Sequence, residues 1–233
     1  MDNWSLGGAN NLSHVDDDQH WVNWHSDYDD PLSYISRRLR SVQRRLAGTL
    51  DVAPGGPIRL ISMCAGQGRD VIGVLEEHQR ALDVRALLVE LDVQLAEDAR
   101  QRARRAGLRN VEVHVGDASV TSAYQNAVPA DILLACGIFG NISDADIHAT
   151  IARLPTLLAR NATVIWTRHR RDPDLTPRIR EWFHDFGFEE VAFDTEEGAL
   201  FSVGSHRLIS EPQTFDPNQK LFTFFGDGAA ANQ

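Results

Sequence analysis

Short apolar runs alternate with amphipathic segments over most of this chain, and the alternation limits the folds that it can adopt. Apolar runs of about five to seven residues are typical of buried strands, whereas apolar residues spaced three or four apart are typical of helices. Strands that alternate with helices form a parallel sheet covered on both faces. The predicted strands are 59–63, 85–91, 111–115, 131–135 and 162–167, and the predicted helices are 70–80, 93–106, 143–158 and 176–186.

Two further apolar runs, 190–193 and 201–209, follow one another without a helix between them. Such a succession predicts a hairpin, and therefore one antiparallel strand at the end of the sheet. The sequence thus predicts an α/β fold. It consists of a Rossmann-like, seven-stranded, mostly parallel sheet with helices on both faces, an antiparallel last strand and an N-terminal helical lid.

The chain divides by pattern into three regions. In the first region, apolar residues show no regular spacing until a helical pattern begins. The second region contains the alternating strands and helices, and the third adds one more apolar strip. The predicted regions are 1–50, an N-terminal arm and helix that form a lid; 51–210, a Rossmann-like core; and 211–233, a C-terminal extension and tail.

The N-terminal helix is expected to start at Asp30-Pro31, because proline suits the first helical turn, and to end near Gly48. Residues 20–28, before this helix, are aromatic and polar without a period. That composition is typical of a lid that closes over a bound ligand, and equally of an arm that packs on a partner.

Composition argues against several classes of protein. The 233 residues carry a net charge of −10, which disfavours nucleic acid as a partner. The longest apolar run, 130–139, is too short to span a bilayer, and the first residues lack the features of a signal peptide. The two cysteines, Cys64 and Cys136, have no metal-ligand spacing. We therefore expect a cytoplasmic protein with no bound metal and no membrane or nucleic-acid partner.

The first predicted strand ends in a turn of small residues at 64–68, with the sequence CAGQG. Small residues there let a ligand approach the backbone at a helix N-terminus. The Gly-Lys-Ser/Thr of a phosphate loop is absent, and Val71 occupies the third small position of a dinucleotide fingerprint. Asp70, at the helix start, would repel a pyrophosphate. The turn therefore suits a positively charged ligand without phosphate, or it has a purely structural role.

Acidic residues end the next two predicted strands. Glu90 ends the second strand, and Asp117 follows Gly116 at the end of the third. Because the carboxyl ends of parallel strands meet at one edge of a sheet, both acids are expected beside the turn of small residues. A carboxylate at the end of the second strand can accept hydrogen bonds from both hydroxyls of a ribose. Each acid alone is equally compatible with a solvated loop.

Together these motifs resemble those of the class I S-adenosylmethionine-dependent methyltransferases. Residues 61–70, with the sequence ISMCAGQGRD, are similar to the first motif, although Ser62 stands where an acid is common and Cys64 where glycine is common. Residues 115–118 (VGDA) are similar to the adenine-contacting motif, and residues 130–137 (ADILLACG) to the fourth motif.

The resemblance covers roughly residues 57–209 and extends to a group of actinobacterial methyltransferases. The further similarities are the Tyr-Asp-Asp-Pro sequence at 28–31, the sequence ACGIFGN at 135–141 and the sequence WTRHR at 166–170. The group implies no particular substrate.

The resemblance implies that S-adenosyl-L-methionine is the cofactor and S-adenosyl-L-homocysteine the product. Glu90 stands at the ribose-binding position, and the residues around it would complete the site. The implied cofactor-binding residues are Cys64, Ala65, Gly66, Gly68, Glu90, Leu91, Asp117, Ala118, Cys136 and Gly137.

Residues that face the acceptor are expected after the fourth and fifth strands and in the N-terminal arm. Asn141 could bind the acceptor or close a turn. Arg168 and His169 begin a basic run that could hold an anionic group, or be solvated, and His169 could act as a base. Tyr28 is expected in the lid by analogy with other N-terminal lids. The predicted substrate-binding residues are Tyr28, Asn141, Arg168 and His169, and the catalytic candidates are His169, Asn141 and Tyr28.

The predicted function is methyl transfer to a small-molecule substrate, one that could carry an anionic group. A general base is required only if the acceptor is protonated at neutral pH. The alternatives are an RNA or protein methyltransferase, and a non-catalytic protein that binds S-adenosylmethionine. The apolar strip 221–225 could add an edge strand or form a homodimer contact.

Overall fold

The computed structural model describes residue 30 and residues 32–196 and 199–225, and within these ranges seven strands form one sheet. The strand order is β3-β2-β1-β4-β5-β7-β6. Strands β1 to β5 are parallel, and β7 is antiparallel to both of its neighbours. The predicted Rossmann-like sheet with its antiparallel strand is therefore confirmed, and the N-terminal lid stays a prediction. The strands are β1 (Ile58–Met63), β2 (Val84–Glu90), β3 (Val111–Val115), β4 (Ala130–Ala135), β5 (Leu158–His169), β6 (Phe188–Thr195) and β7 (Phe201–Leu208).

Five α-helices are described, and most of them connect successive strands. A boundary between two compact units, Met1–Arg37 and Arg38–Gln233, falls inside the first helix, so the sheet and most of that helix belong to the second unit. Two short 3₁₀ helices, Thr121–Tyr124 and Leu154–Thr156, lie beside β3 and β5 in the chain. The α-helices are α1 (Tyr34–Val52), α2 (Arg69–Leu75), α3 (Val93–Arg105), α4 (Asp144–Arg153) and α5 (Thr176–Asp185).

The sheet separates two hydrophobic cores, because successive side chains of a strand point to opposite faces. On one face, the core joins Leu60 of β1 to apolar residues of α1, α2 and α3, among them Leu46. On the other face, Ile61 lies in a core with residues of α4 and α5, among them Phe183. Helices thus cover both faces, and the carboxyl edge of the parallel strands is left for the loops that carry the predicted motifs.

Two predicted helix ends were wrong. Helix α1 continues through Gly48 to Val52. Helix α2 ends at Leu75 instead of Arg80. Arg80 lies in the following turns, where its guanidinium donates hydrogen bonds to the carbonyl oxygens of residues 53, 54 and 56. These contacts fix the loop before β1 and take the chain out of helical geometry.

The start of the fifth strand also differs from the prediction. Asn161 has a left-handed backbone, with φ of 63°, and lies within β5, which begins at Leu158 instead of residue 162. The pairing of β4 with β5 shifts register between Ala130 and Ile132, which accommodates this irregular segment. The predicted helix 143–158 is also shorter in the structure, since α4 ends at Arg153 and gives way to a 3₁₀ turn that contains Pro155.

The apolar strip 221–225 does not add an edge strand in the part of the chain that the structure describes. It forms isolated bridges, Val120 with Lys220 and Ile142 with Phe224, on loops at the carboxyl edge of the sheet. Leu221 and Phe222 are each only 1% exposed and belong to the core beneath α4. The homodimer remains a prediction, and residues 226–233 lie outside the described ranges.

Candidate cofactor site

The turn after β1 has an unusual backbone. Cys64, Gly66 and Gly68 all have positive φ, at 50°, 54° and 66°. The turn is closed by two backbone hydrogen bonds, from Ala65 N–H to the Val89 carbonyl (3.0 Å) and from Gly68 N–H to the Ala65 carbonyl (2.8 Å). Glycine adopts this conformation freely, whereas at Cys64 it costs about 1–2 kcal/mol. Cys64 stands where glycine is common, and it keeps the left-handed backbone that glycine adopts freely.

The two glycines of the turn have different reasons to be glycine. A Cβ atom on Gly68 would lie 2.7 Å from side-chain atoms of Ile72 and Leu88, so close packing against α2 and β2 requires its absence. A Cβ atom on Gly66 would have no atom within 4 Å. Gly68 therefore has a structural role in packing. Gly66 instead borders open space that a ligand can occupy.

Glu90 lies directly against this turn. Its Oε2 atom accepts a hydrogen bond from Gly66 N–H at 2.7 Å, and its Oε1 atom accepts one from Asp92 N–H at 2.9 Å. Glu90 is 8% exposed, and the two backbone donors fix the position of its carboxylate. Each carboxylate oxygen retains a further lone pair for a ligand hydroxyl. Leu91, the next residue, is exposed.

The loop after β3 is held together beneath the same edge. Asp117 accepts a hydrogen bond from Ser119 N–H at 2.8 Å, which leaves the other carboxylate oxygen available. The Tyr124 hydroxyl donates to the Ala118 carbonyl at 2.5 Å and is fully buried. Burial, with a smaller contribution from the charges of Glu90 and Asp117, raises the pKa of the Cys64 thiol to about 12. The thiol is therefore protonated and lies near both acids.

Tyr124 supports this loop and was missed from the sequence. Burial raises the pKa of its hydroxyl, and the nearby Cys64 and Asp117 add to that shift. Tyr124 therefore lies beneath the turn of β1 and the loop of β3 together. No pattern around the residue indicates its role, because it bonds to a carbonyl of an irregular loop and meets the turn of β1 only in the folded chain.

The loop after β4 is positioned by β5. Gly137, with φ of 79°, donates its N–H to the Thr167 hydroxyl at 2.9 Å. The Asn141 side chain donates to the Gly137 carbonyl at 2.7 Å, and the Asn141 N–H donates to the Ile138 carbonyl at 2.8 Å. Asn141 therefore closes the turn, which is one of its two predicted roles. Thr167 is the second residue that sequence reasoning missed.

Asp70 follows the turn 64–68, at the start of α2, and lies near Cys136 at the end of β4. Burial raises its pKa to about 6, and the Val71 N–H and the Arg38 guanidinium partly oppose that shift. Burial likewise raises the pKa of the Cys136 thiol, and the charge of Asp70 adds to the effect. The start of α2 and the end of β4 thus bring a carboxyl group and a thiol together.

Arg168 and His169 end β5 beside the loop of β4. The Arg168 guanidinium donates to the Phe139 carbonyl, and burial lowers its pKa against the opposing charges of Asp144 and Asp174. The His169 ring lies near Gly140, at 3.4 Å from the position that a Cβ atom would occupy there. Burial lowers the pKa of His169, and the charge of Arg168 lowers it further.

The structure thus brings the predicted cofactor-binding residues to one edge of the sheet, and the predicted acceptor-side residues Asn141, Arg168 and His169 to the adjacent loops. Tyr28 lies outside the described residues. In residues 30, 32–196 and 199–225, no group of three or more His, Cys, Asp or Glu side chains is placed to hold a metal ion. No helix in those ranges is long and apolar enough to cross a membrane.

No protein-family model matches the chain, and no curated protein sequence matches it significantly. Solved structures do match its fold. The CurJ carbon methyltransferase is 13% identical with a TM-score of 0.59, over 74% of this chain and 54% of that one. The chain thus spans about half the length of the CurJ structure.

Two further structures have similar folds. Magnesium protoporphyrin IX methyltransferase from Synechocystis PCC 6803, solved with bound S-adenosylmethionine, is 12% identical with a TM-score of 0.62, over 81% of this chain and 90% of that one. The [4+2]-cyclase SpnF is 13% identical with a TM-score of 0.53, over 72% of this chain and 80% of that one. Taken with the strand order and the glycine turn, these matches establish that the chain has the fold of the class I S-adenosylmethionine-dependent methyltransferases.

Proposed function

We propose that the protein transfers the methyl group of S-adenosylmethionine to a small-molecule acceptor. The observation that carries the proposal is the hydrogen bond between Glu90 and Gly66. It holds a buried carboxylate at the mouth of a turn that has open space beside it. The fold of the structural neighbours supports the same assignment, and one of them was solved with this cofactor bound.

The residues of the site fit an adenosyl group along the carboxyl edge. Glu90 would accept hydrogen bonds from the ribose hydroxyls, and Asp117 with the Ala118 backbone would border the adenine, flanked by the exposed Leu91. The methionine part would lie between the glycine turn and the loop that contains Cys136 and Gly137. Each of these roles is a proposal for the residue named.

The charge of the site favours this ligand over a dinucleotide. S-Adenosylmethionine carries a sulfonium and an ammonium group, and the edge presents the carboxyl groups of Glu90, Asp117 and Asp70. A pyrophosphate would meet these acids at the start of α2 and be repelled. We assign Asp70 to the ammonium group, because a cation nearby offsets the cost of ionising a buried carboxyl.

The cofactor supplies an electrophilic methyl group on sulfur, so the chain has only to position the acceptor and exclude water. Alignment of the two reactants contributes on the order of 7 kcal/mol or more to such reactions. Thr167 and Asn141 fix the loop that would border the acceptor, through their hydrogen bonds to Gly137. We further propose that the N-terminal arm, with Tyr28, closes the site.

His169 is the candidate base for an acceptor that must lose a proton. Its lowered pKa leaves the imidazole neutral at pH 7, which is the form that accepts a proton. The Nδ1 atom is buried and has no hydrogen-bond partner among the described residues. An acceptor that is already a nucleophile would not require it.

Arg168 supports an acceptor with a carboxylate or phosphate group. Its guanidinium contacts the loop of β4 through Phe139, and its Nε atom is buried without a partner in the described part of the chain. A guanidinium binds planar anions with two parallel hydrogen bonds. An anionic substituent would therefore orient the acceptor beside the sulfonium methyl group.

One of the two alternative functions is favoured by a specific observation, and the other is disfavoured. SpnF, a [4+2]-cyclase, has a similar fold, which favours a protein that uses the site for chemistry other than methyl transfer. An RNA or protein acceptor is disfavoured by the net charge of −10. We also propose that the protein is located in the cytoplasm.

The cofactor assignment is tested by thermal unfolding in the presence of S-adenosylhomocysteine or NAD, followed by calorimetric titration of the better ligand. We expect S-adenosylhomocysteine to raise the melting temperature by several degrees at one hundred times its dissociation constant, since that excess contributes about 2.7 kcal/mol. Stabilisation by NAD alone would refute the proposal.

The acceptor is identified by methyl transfer from isotopically labelled cofactor to a panel of small molecules with and without anionic groups. In the Arg168→Met variant, KM for an anionic acceptor should rise at least tenfold, with the affinity for S-adenosylhomocysteine unchanged. Arg171→Met removes an exposed cation nearby and serves as the matched control. Tight cofactor binding without transfer to any acceptor would favour the non-catalytic alternative.

A further inference from the structure

A C-terminal segment, residues 216–225, links the two loops that border the site; we call it the strap. It begins after the last strand of the sheet and crosses from the loop after β3 to the loop after β4. Neither its composition nor its spacing indicates this path, which is set by contacts with residues about 80 to 100 positions earlier in the chain.

At its first end, the strap is fastened to the loop of β3 by Thr121. The Thr121 hydroxyl donates to the Asp216 carbonyl at 2.6 Å and accepts from Gln219 N–H at 3.0 Å. The Thr121 N–H donates to the Gln219 carbonyl at 3.0 Å. Thr121 is completely buried, so water does not compete for these groups. It follows Asp117 and Ala118 by only a few residues.

The middle of the strap is anchored in the core. Leu221 N–H donates to the Ser119 carbonyl at 2.7 Å, and the Leu221 carbonyl accepts from the Thr150 hydroxyl of α4 at 2.9 Å. Leu221 and Phe222 are buried, so the strap cannot shift without exposing both side chains. Burial of two such side chains favours one fixed position of the strap.

At its second end, the strap holds the loop after β4. Phe224 pairs with Ile142 in an isolated bridge, and Phe225 N–H donates to the Asn141 carbonyl at 3.0 Å. The Phe224 ring meets the buried ring of Phe222 edge-on, with centroids 5.2 Å apart. Asn141 in turn donates to Gly137. A continuous set of contacts therefore runs from the loop of β3 to the loop that borders the acceptor.

We propose that the strap makes the acceptor loop, residues 137–142, respond to binding at the loop of β3, with Thr121 as a positioning residue. The proposal rests on the proposed function, which assigns the adenine to the loop of β3. A ligand that orders this loop also orders the strap through Thr121, and the strap orders Asn141. Coupling of this kind needs no change of conformation, since the second loop is already partly ordered when the acceptor arrives.

The test is hydrogen exchange measured by mass spectrometry, with and without S-adenosylhomocysteine, on the full chain and on the Thr121→Val variant. Valine keeps the shape of threonine and removes both hydrogen bonds of its hydroxyl. In the unchanged protein, the ligand should slow exchange at 137–142 and 216–225 at least threefold. In Thr121→Val, the ligand should still protect the regions of Gly66, Glu90 and Gly137, which it would contact directly, with the protection of 138–142 lost.

Two further variants separate positioning from simple loss of stability. Thr156→Val removes a buried hydroxyl that donates to the Arg153 carbonyl away from the strap, so the acceptor loop should keep its response. Thr121→Ser retains a hydroxyl and should restore that response. Loss of the response in Thr156→Val to the same degree as in Thr121→Val would overturn the proposal.

The strap and the proposed function fail in different ways. Absence of S-adenosylhomocysteine binding to the unchanged protein would refute the function. The strap is then tested without ligand, where Thr121→Val should speed exchange at 137–142 at least threefold and Thr156→Val should not. Equal exchange at 137–142 in the unchanged protein and in Thr121→Val would show that the strap does not hold the acceptor loop.

Discussion

Glu90 and Gly66 are joined by a hydrogen bond of 2.7 Å between a carboxylate oxygen and a backbone N–H, although Glu90 ends β2 and Gly66 lies in the turn after β1. The bond turns two separate sequence motifs into one structural unit, because the acid sets the position of the turn and the turn fixes the orientation of the acid. A bound ribose would depend on both. Substitutions at Glu90 should therefore affect binding and stability together.

Glu90→Gln keeps the shape of the side chain and removes its charge. The amide nitrogen cannot accept from either Gly66 or Asp92, so one of these two N–H groups loses its partner. We expect the free energy of unfolding to fall by about 1–3 kcal/mol and the affinity for S-adenosylhomocysteine to fall at least tenfold. Calorimetric titration and denaturant unfolding measure the two effects. Glu112→Gln, an exposed carboxylate on the neighbouring strand β3, is the control and should change neither quantity.

Gly68→Ala should destabilise the fold by about 2–4 kcal/mol, because the added methyl group meets Ile72 and Leu88 at 2.7 Å and φ is 66°. Gly48→Ala is the matched control, since a Cβ atom there has no atom within 4 Å and the residue lies inside α1. That change should stabilise the protein by about 0.5–1 kcal/mol. Equal effects of the two substitutions in denaturant unfolding would contradict the packing of the turn.

Asp70→Asn should separate stability from binding. A carboxyl group with a raised pKa stabilises the fold below its unfolded pKa, and that contribution is lost as the pH rises through about 6. At pH 7.5, the neutral amide of the variant avoids the cost of a buried charge, so stability should rise by about 1–3 kcal/mol. Affinity for S-adenosylhomocysteine should fall at least tenfold, because the proposed partner of the ammonium group is gone. The gain in stability should disappear near pH 4. A gain that persists there would show that the pKa of Asp70 is not raised in the folded protein.

His206 should make the protein less stable in mild acid. Its ring is buried, accepts a hydrogen bond from the Trp166 indole at 3.0 Å and stacks on Phe183. Burial lowers its pKa to about 4, against the opposing charge of Glu190. As the pH falls, His206 is therefore protonated at a higher pH in the unfolded chain than in the folded protein.

The free energy of unfolding should fall by about 3 kcal/mol in total as the pH is lowered from 6.5 to about 4, because His206 is protonated more readily in the unfolded chain. His206→Phe keeps the stacked ring and removes the titrating group, so its stability should depend less steeply on pH over that range. Denaturant unfolding at half-unit pH intervals gives both slopes. Parallel slopes for the two proteins would show that His206 does not titrate on unfolding.

Periodicity and strand ends were enough to predict most of the fold. The parallel order follows from the alternation of strands and helices, and Glu90 and Asp117 were located because a strand pattern ends at each. Gly48 was misjudged for a physical reason. A glycine inside a helix costs about 1 kcal/mol, and burial of Leu46 and Leu50 on either side contributes more than that.

The supporting residues could not be found in the same way. Thr121, Tyr124 and Thr167 each act through one hydroxyl group on a backbone atom, and no local spacing marks such a bond. The partners of Thr121 and Thr167 become neighbours only when the chain folds, and Tyr124 bonds to Ala118, six residues earlier in an irregular loop without a repeating pattern. The proposed roles of Asn141, Arg168 and His169 still await an acceptor.

The strap has a practical consequence. Lys220, which pairs with Val120, is the only lysine in the 233 residues, and its side chain is exposed. An amine-reactive fluorophore applied at alkaline pH would attach at this position without any engineered cysteine, apart from reaction at the α-amino group. Changes in its emission would then report directly on movements beside the proposed cofactor site.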